Sequence, residues 1–205
     1  MRKTADEARR TRDRIVGTAV LQASTEGLSG LTIGTLAESL GMSKAGVVGP
    51  FGSRSELQRA TLTRATDMFT EAVVTPSLTA PPGLPRLRAV IDSWCAYLAD
   101  SPFPNGCFVT AASCELDGQP GELRTHLRET VLRWRTFLHD QITTAQSAGD
   151  IPTTLPPEAL VSTLNGIAMS ANQEIQLLAD PAAATRARTL MHTLIGADCH
   201  PPQTT

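Results

Sequence analysis

TIGTLAESLGMSKAGVVGPF, residues 32–51, is the stretch on which the fold of this 205-residue chain turns. Thr32 carries the hydroxyl that opens a short helix, and Ile33, Leu36, Ala37 and Leu40 follow at the spacing of one helix face. Gly41 supplies the backbone freedom of a tight turn, and Ser43 caps a second helix that starts at Lys44. Two short helices joined through a glycine, with the small Ala37 where they cross, predict a helix-turn-helix. Its second helix is the element that enters a DNA major groove. Just beyond, Ser53-Arg54-Ser55-Glu56 reads as a capping box, hydroxyl and carboxylate each satisfying an orphan N–H, and opens a long helix toward residue 75.

Outward from this motif the 14 prolines act as punctuation, because proline breaks a helix interior. Helix-length windows lie between them: 1–49, 51–75, 86–101, 105–119, 121–151, 158–180 and 182–200. In 121–148, Leu123, Leu127, Val131, Trp134, Leu138 and Ile142 recur every three or four residues, with Arg124, Arg128 and Arg135 off the stripe. The window 158–179 repeats the pattern at Leu160, Leu164, Ile167, Ala171, Ile175 and Leu178, widened by Val161 and Ala168. Asp180-Pro181 is expected to cap a last helix on which Ala183, Ala187, Leu190, Met191, Leu194 and Ile195 share a face. The expectation is an all-α fold of about nine helices, with loops at 75–85 and 101–106.

Composition excludes several classes. At 41% hydrophobic and 19% charged the chain is not globally disordered, and no apolar run approaches the roughly 20 residues of a membrane span. The charged start, MRKTADEARRTRDR, lacks the apolar core of a secretion signal, and Cys95, Cys107, Cys114 and Cys199 form no CxxC pair. A cytoplasmic protein without a disulfide framework is expected. The net charge of -2 conceals a division: residues 1–64 carry ten basic and six acidic side chains, net +4, whereas the other 141 carry eight and fourteen, net -6. A basic N-terminal third with an acidic remainder fits a nucleic-acid module fused to something else.

From Thr11 to Leu62, TRDRIVGTAVLQASTEGLSGLTIGTLAESLGMSKAGVVGPFGSRSELQRATL resembles the TetR family of one-component transcriptional regulators, with the family's Gly-containing loop, Thr-Ile opening, Gly-x-Ser-Lys turn, Phe, and Ser-x-x-Glu-Leu helix start. NGCFVTAASCELDGQPGELR, 105–124, is similar to the ligand domain of an actinobacterial-type branch. The resemblance implies a three-helix DNA-binding bundle with a basic N-terminal arm over 1–52, a larger helical ligand-binding and dimerisation domain over 53–197, and a disordered tail over 198–205. Thr32, Ser43, Lys44 and the N–H groups at Ser53 and Arg54 would hold phosphates, and Ala45, Gly46, Val48 and Gly49 would face the groove. The family places tyrosine where this chain has Val48, and histidine or tyrosine where it has Pro50. What remains can offer thymine methyls only apolar contact, and Pro50 is expected to cost the recognition helix an N–H in its last turn. Specificity would then rest on Lys44, on Arg9, Arg10, Arg12 and Arg14, and on DNA shape.

Seven of the eight aromatics follow residue 64. Core packing explains an aromatic on a helix face, but the resemblance places an inducer cavity among 53–75, 86–101, 105–115 and 121–148. Phe69, Trp94, Leu98, Phe108, Trp134 and Phe137 are its candidate lining, with Cys107, Thr110 and Asn172 as polar contacts, suited to an uncharged, mostly apolar molecule. The whole reads as a ligand-responsive repressor, homodimeric through 158–179 and 182–196, released by that molecule from a palindromic DNA operator, with no cofactor, metal or membrane partner. No nucleophile elbow, P-loop or dinucleotide fingerprint points to an enzyme, and the histidines, 126, 139, 192 and 200, are scattered. The alternatives are a regulator with weakened DNA reading that works through protein partners, a helical small-molecule-binding protein or enzyme using Glu115, Asp117 or Glu174, and a thiol sensor at Cys107 and Cys114.

Overall fold

The computed structural model describes residues 5–196; Arg2, Lys3, Cys199, His200 and the tail 198–205 lie outside the described residues. Among those described there are nine α-helices of five or more residues and no strand. They are α1 (Ala5–Gly30, interrupted at Gly27, whose backbone leaves the helical region, so that 27–32 forms its connection to α2), α2 (Ile33–Leu40), α3 (Lys44–Val48), α4 (Arg54–Phe69), α5 (Leu84–Ala99), α6 (Phe108–Leu116), α7 (Glu122–Ala148), α8 (Pro157–Gln176) and α9 (Ala183–Ile195). Beyond α4 the helix widens into a π turn, Thr70–Val74, and tightens again over Thr75–Ser77. Pro76 supplies a cause, since its ring has no N–H to return to residue 72 and crowds that carbonyl.

The chain divides into two compact units, Met1–Met68 with Phe103–Thr130, and Phe69–Pro102 with Val131–Thr205. In the first, Ile15, Leu28, Leu31, Leu36, Leu57 and Leu62 are fully buried; in the second, Leu87, Ile91, Leu138, Ile142, Leu164 and Met191. Each such side chain contributes about 1.5–3 kcal/mol over leaving it in water. The periodicity of 121–148 and 158–176 is therefore realised as α7 and α8, on which Leu138, Ile142, Leu160, Val161, Leu164, Ala168 and Ala171 are buried.

Three boundaries differ from expectation. The stretch expected as a basic arm is helical from Ala5, where Asp6 and Glu7 in the first turn favour a helix start. The window 158–179 ends at Gln176, so Leu178 lies past the helix and is 66% exposed. The last helix starts at Ala183, not at Pro181: Asp180 Oδ1 accepts the Ala182 N–H at 2.8 Å and forms a turn ahead of it.

Candidate nucleic-acid interface and aromatic interior

The helix-turn-helix forms as its caps dictate. Thr32 Oγ1 accepts the Thr35 N–H at 3.1 Å, Ser43 Oγ accepts the Gly46 N–H at 3.1 Å, and Gly41 takes the left-handed conformation between the helices, φ 60° and ψ 35°. Each cap is worth about 1 kcal/mol. Ala37 is buried at the crossing, as its size requires, and Val47 is the one fully buried residue of α3. On the other side of α2, the position a Cβ on Gly34 would take lies 3.7 Å from Lys44 Cε and 3.8 Å from Thr32 Oγ1, ordinary contact distances, so the Lys44 side chain and the Thr32 hydroxyl come near one another beside this turn of α2.

Thr32, Ser43, Lys44, Ala45, Gly49, Ser53 and Arg54 are all exposed, with Gly46 and Val48 half-buried. Pro50 costs α3 nothing, contrary to expectation, because the helix ends at Val48 and the proline falls in the following turn, where Phe51 and Gly52 donate to the Val48 carbonyl. The capping box is half formed: Ser53 Oγ accepts the Glu56 N–H at 3.1 Å, but the Glu56 carboxylate turns to Arg59 instead of back to the Ser53 N–H. That guanidinium holds the carboxyl below its ordinary range. Of the basic residues on α1, Arg9 and Arg10 pair with Asp6, and Arg12 lies over the Phe51 ring, 4.9 Å from its centre.

Arg54 does more than offer a backbone N–H. Its side chain donates to the carbonyls of Leu31 at 3.1 Å and Ser29 at 2.7 Å, and Gln58 Nε2 donates to the Leu28 carbonyl at 2.6 Å. The N–H groups of the same connection are held from α6, where Glu115 Oε2 accepts from Leu28 at 2.9 Å and Oε1 from Ser29 at 2.6 Å. Sequence reading had Glu115 only as a carboxylate available for catalysis. Its partners are main-chain groups about 86 residues away, which leave no residue signature.

In the second unit a chain of rings forms. Phe69 meets Tyr97 and Trp134 edge-on at 5.3 and 5.1 Å, Trp94 meets Trp134 at 4.9 Å, and Phe137 stacks on Trp134 at 6.0 Å. Trp134 Nε1 donates to Asn165 Oδ1 of α8 at 3.1 Å, which satisfies the indole N–H. Four of the expected lining residues, Phe69, Trp94, Trp134 and Phe137, thus come together around Trp134, with Tyr97 and Asn165 added. Leu98 is buried and Asn172 half-buried in the same unit. Cys107, Phe108 and Thr110 fall in the other unit. There Phe108 packs on Phe103 at 5.6 Å and, with Asn105, Ala111, Glu115 and Gln119, borders a half-open cleft of about 460 Å³ against residues 23–29 of α1.

Other candidate chemistry is spoken for. Arg186 pairs with Glu174 and Asp180. Asp92 accepts from Arg188 at 2.6 Å and contacts His192 Nε2 at 2.7 Å; burial raises its carboxyl, but these two partners outweigh that and leave it below 3.8. Burial, aided by Asp92, pushes the Cys95 thiol up to about 11. Cys107 is buried at the start of α6 and Cys114 exposed near its end, so the two do not share an environment. His126 and His192 are half-buried, the first against Thr63 Oγ1 at 3.1 Å. Among the described residues no helix is long and apolar enough to cross a membrane.

Residues 83–191 match the family described as Tetracyclin repressor-like, C-terminal domain. No curated protein matches the chain in sequence. Among solved structures it is similar to a TetR transcriptional regulator from Chloroflexus aurantiacus, at 21% identity and TM-score 0.84, over 93% of this chain and 96% of that one. It is also similar to AibR in complex with isovaleryl coenzyme A and operator DNA, at 19% identity and TM-score 0.73, over 90% and 98%. A third is a putative transcriptional regulator from Saccharomonospora viridis in complex with choline, at 18% and 0.75, over 91% and 96%.

Proposed function

The chain belongs to the TetR family of transcriptional regulators, and from that premise we propose that it is a homodimeric repressor that binds a palindromic operator and leaves it when a small, mostly apolar molecule occupies residues 53–197. The observation that carries the DNA half is the nearness of the Thr32 hydroxyl and the Lys44 side chain, both beside Gly34, at the capped starts of α2 and α3. Capped N-termini with a lysine between them hold phosphate. Ala45, Gly46, Val48 and Gly49 then touch groove atoms through methyls and backbone, and Ser53 and Arg54 anchor the flanking strand through the N–H groups at the start of α4.

The rings around Trp134 favour an effector with an apolar body, and Asn172 on α8 supplies a polar contact. Ligand and DNA both occur in complex with AibR, a regulator of the same fold. A ligand acts on DNA affinity only through unequal binding to two conformations. Dimerisation through α8 and α9 is supported by the exposed Met169 and Leu190 on these helices and Leu177 and Leu178 just past α8, apolar side chains left open to solvent among the described residues. The protein is not an enzyme in this reading: Glu115 is taken by main-chain N–H groups and Glu174 by Arg186 and Ser170. It works in the cytoplasm, without cofactor or metal.

The experiment is selection of duplexes from a random pool by the full chain, with sedimentation in parallel. Enrichment of a two-fold symmetric sequence by a dimer is expected. A monomer, or a pool unchanged after selection at low salt, overturns the reading and favours the alternative in which the regulator works through protein partners.

A further inference from the structure

The connection between α1 and α2 is gripped from two sides. Gly27 adopts φ 78° and ψ 163°, a backbone region that side chains other than hydrogen do not tolerate, and this turns the N–H groups of Leu28 and Ser29 toward α6. The Glu115 carboxylate closes on both, one oxygen to each. It comes so near that a Cβ on Gly27 would stand 2.9 Å from Oε2. The carbonyls of Leu28, Ser29 and Leu31 accept in turn from Gln58 and Arg54 on α4. Every one of these contacts is charge-assisted or short, and together they set where α1 ends and where Thr32, one residue past Leu31, begins α2.

We infer that Glu115 is a positioning residue for DNA binding: from α6 it fixes the α1–α2 connection so that Thr32 and Lys44 meet phosphate together. This rests on the DNA reading above. Glu115 touches no nucleic acid, and its negative charge by itself opposes binding to a polyanion. That sign separates positioning from electrostatics: neutralising Glu115 strengthens DNA binding if charge alone matters, and weakens it if the grip matters.

The test uses the full chain and the duplex that it enriches. Glu115→Gln keeps the shape but faces one of the two N–H groups with an amide donor. The expected result is amide exchange at Leu28 and Ser29 faster by about tenfold, affinity for the duplex lower by about fivefold or more, and a shallower slope of log affinity against log salt, because a displaced Thr32 forfeits a phosphate. A merely destabilised protein loses active fraction without changing that slope. Asp117→Asn, which removes a charge one residue beyond the same helix, is the control and binds as the parent does or more tightly. Glu115→Ala gives a second substitution should the glutamine variant misfold. Tighter or unchanged binding by Glu115→Gln, with the parent still selecting its duplex, overturns the role assigned to Glu115 alone. A parent that enriches no duplex overturns the DNA reading and this role with it.

Discussion

The α1–α2 connection and the rings around Trp134 hold their helices by opposite means. The connection uses eight polar groups: one carboxylate, one guanidinium, one amide and the five main-chain groups they grip. The ring cluster uses area, with one hydrogen bond, from Trp134 to Asn165. Polar grips fix direction and contribute little net energy, since each bond replaces one to water. The rings, of which Trp94 and Tyr97 are buried and Phe69, Trp134 and Phe137 half-buried, contribute through the apolar area they withdraw from water. In the function proposed above the first lies where two helices would meet phosphate in register and the second where an effector would be received.

Removing an anchor from each region breaks the comparison most openly. Trp94→Ala, at a residue 5% exposed between α5 and Trp134, is expected to cost about 3–5 kcal/mol in urea unfolding. A loss below 1 kcal/mol would mean that the rings already enclose space and do not pack. Gly27→Ala is the counterpart in the polar region and is expected to cost about 1–3 kcal/mol, from backbone strain and the nearness of Glu115. Gly17, in the same helix with open space about it, sharpens the contrast: Gly17→Ala is expected to stabilise by about 0.5–1 kcal/mol. Equal effects at the two glycines would dissolve the distinction.

The smallest effect concerns pH. The Asp92 carboxyl is lower in the folded chain than its ordinary 3.8, because the hydrogen bonds from Arg188 and His192 outweigh its burial. A carboxyl lowered on folding adds stability that is present above the unfolded value and is lost as pH falls through the folded one. The urea midpoint of the parent is therefore expected to drop slightly more than that of Asp92→Asn below pH 3.8. The side chain is 44% exposed, so solvent screening keeps the difference small.

What could be read from the chain before any coordinates follows the same contrast. Apolar periodicity is local, so α7 and α8 and their buried faces were legible from leucines and isoleucines three and four apart, as were the caps at Thr32 and Ser43. Four of the ring residues were legible as aromatics in an acidic remainder. The grip by Glu115 was not, because a carboxylate that binds main-chain N–H groups has no partner residue to look for. Pro50 misled for a related reason: a five-residue helix ends sooner than its cap and composition imply, so a proline read as interior lies outside. The start at Ala183 shifted because Asp180 spends its side chain on a turn, and α8 stops at Gln176 ahead of Ala179, whose φ is 53°, with the Asp180 N–H closing back on the Glu174 carbonyl.

In the proposed function a recognition helix whose exposed residues are Lys44 and Ala45, followed by the exposed Gly49, reads a defined sequence. Its most direct test is the ratio of affinities for the selected duplex and for a scrambled duplex of equal length and composition, at one salt concentration near physiological. A ratio of about 10³ or more is predicted, the lower end for specific binders. A ratio near one, with both duplexes bound and both released by salt, would contradict it.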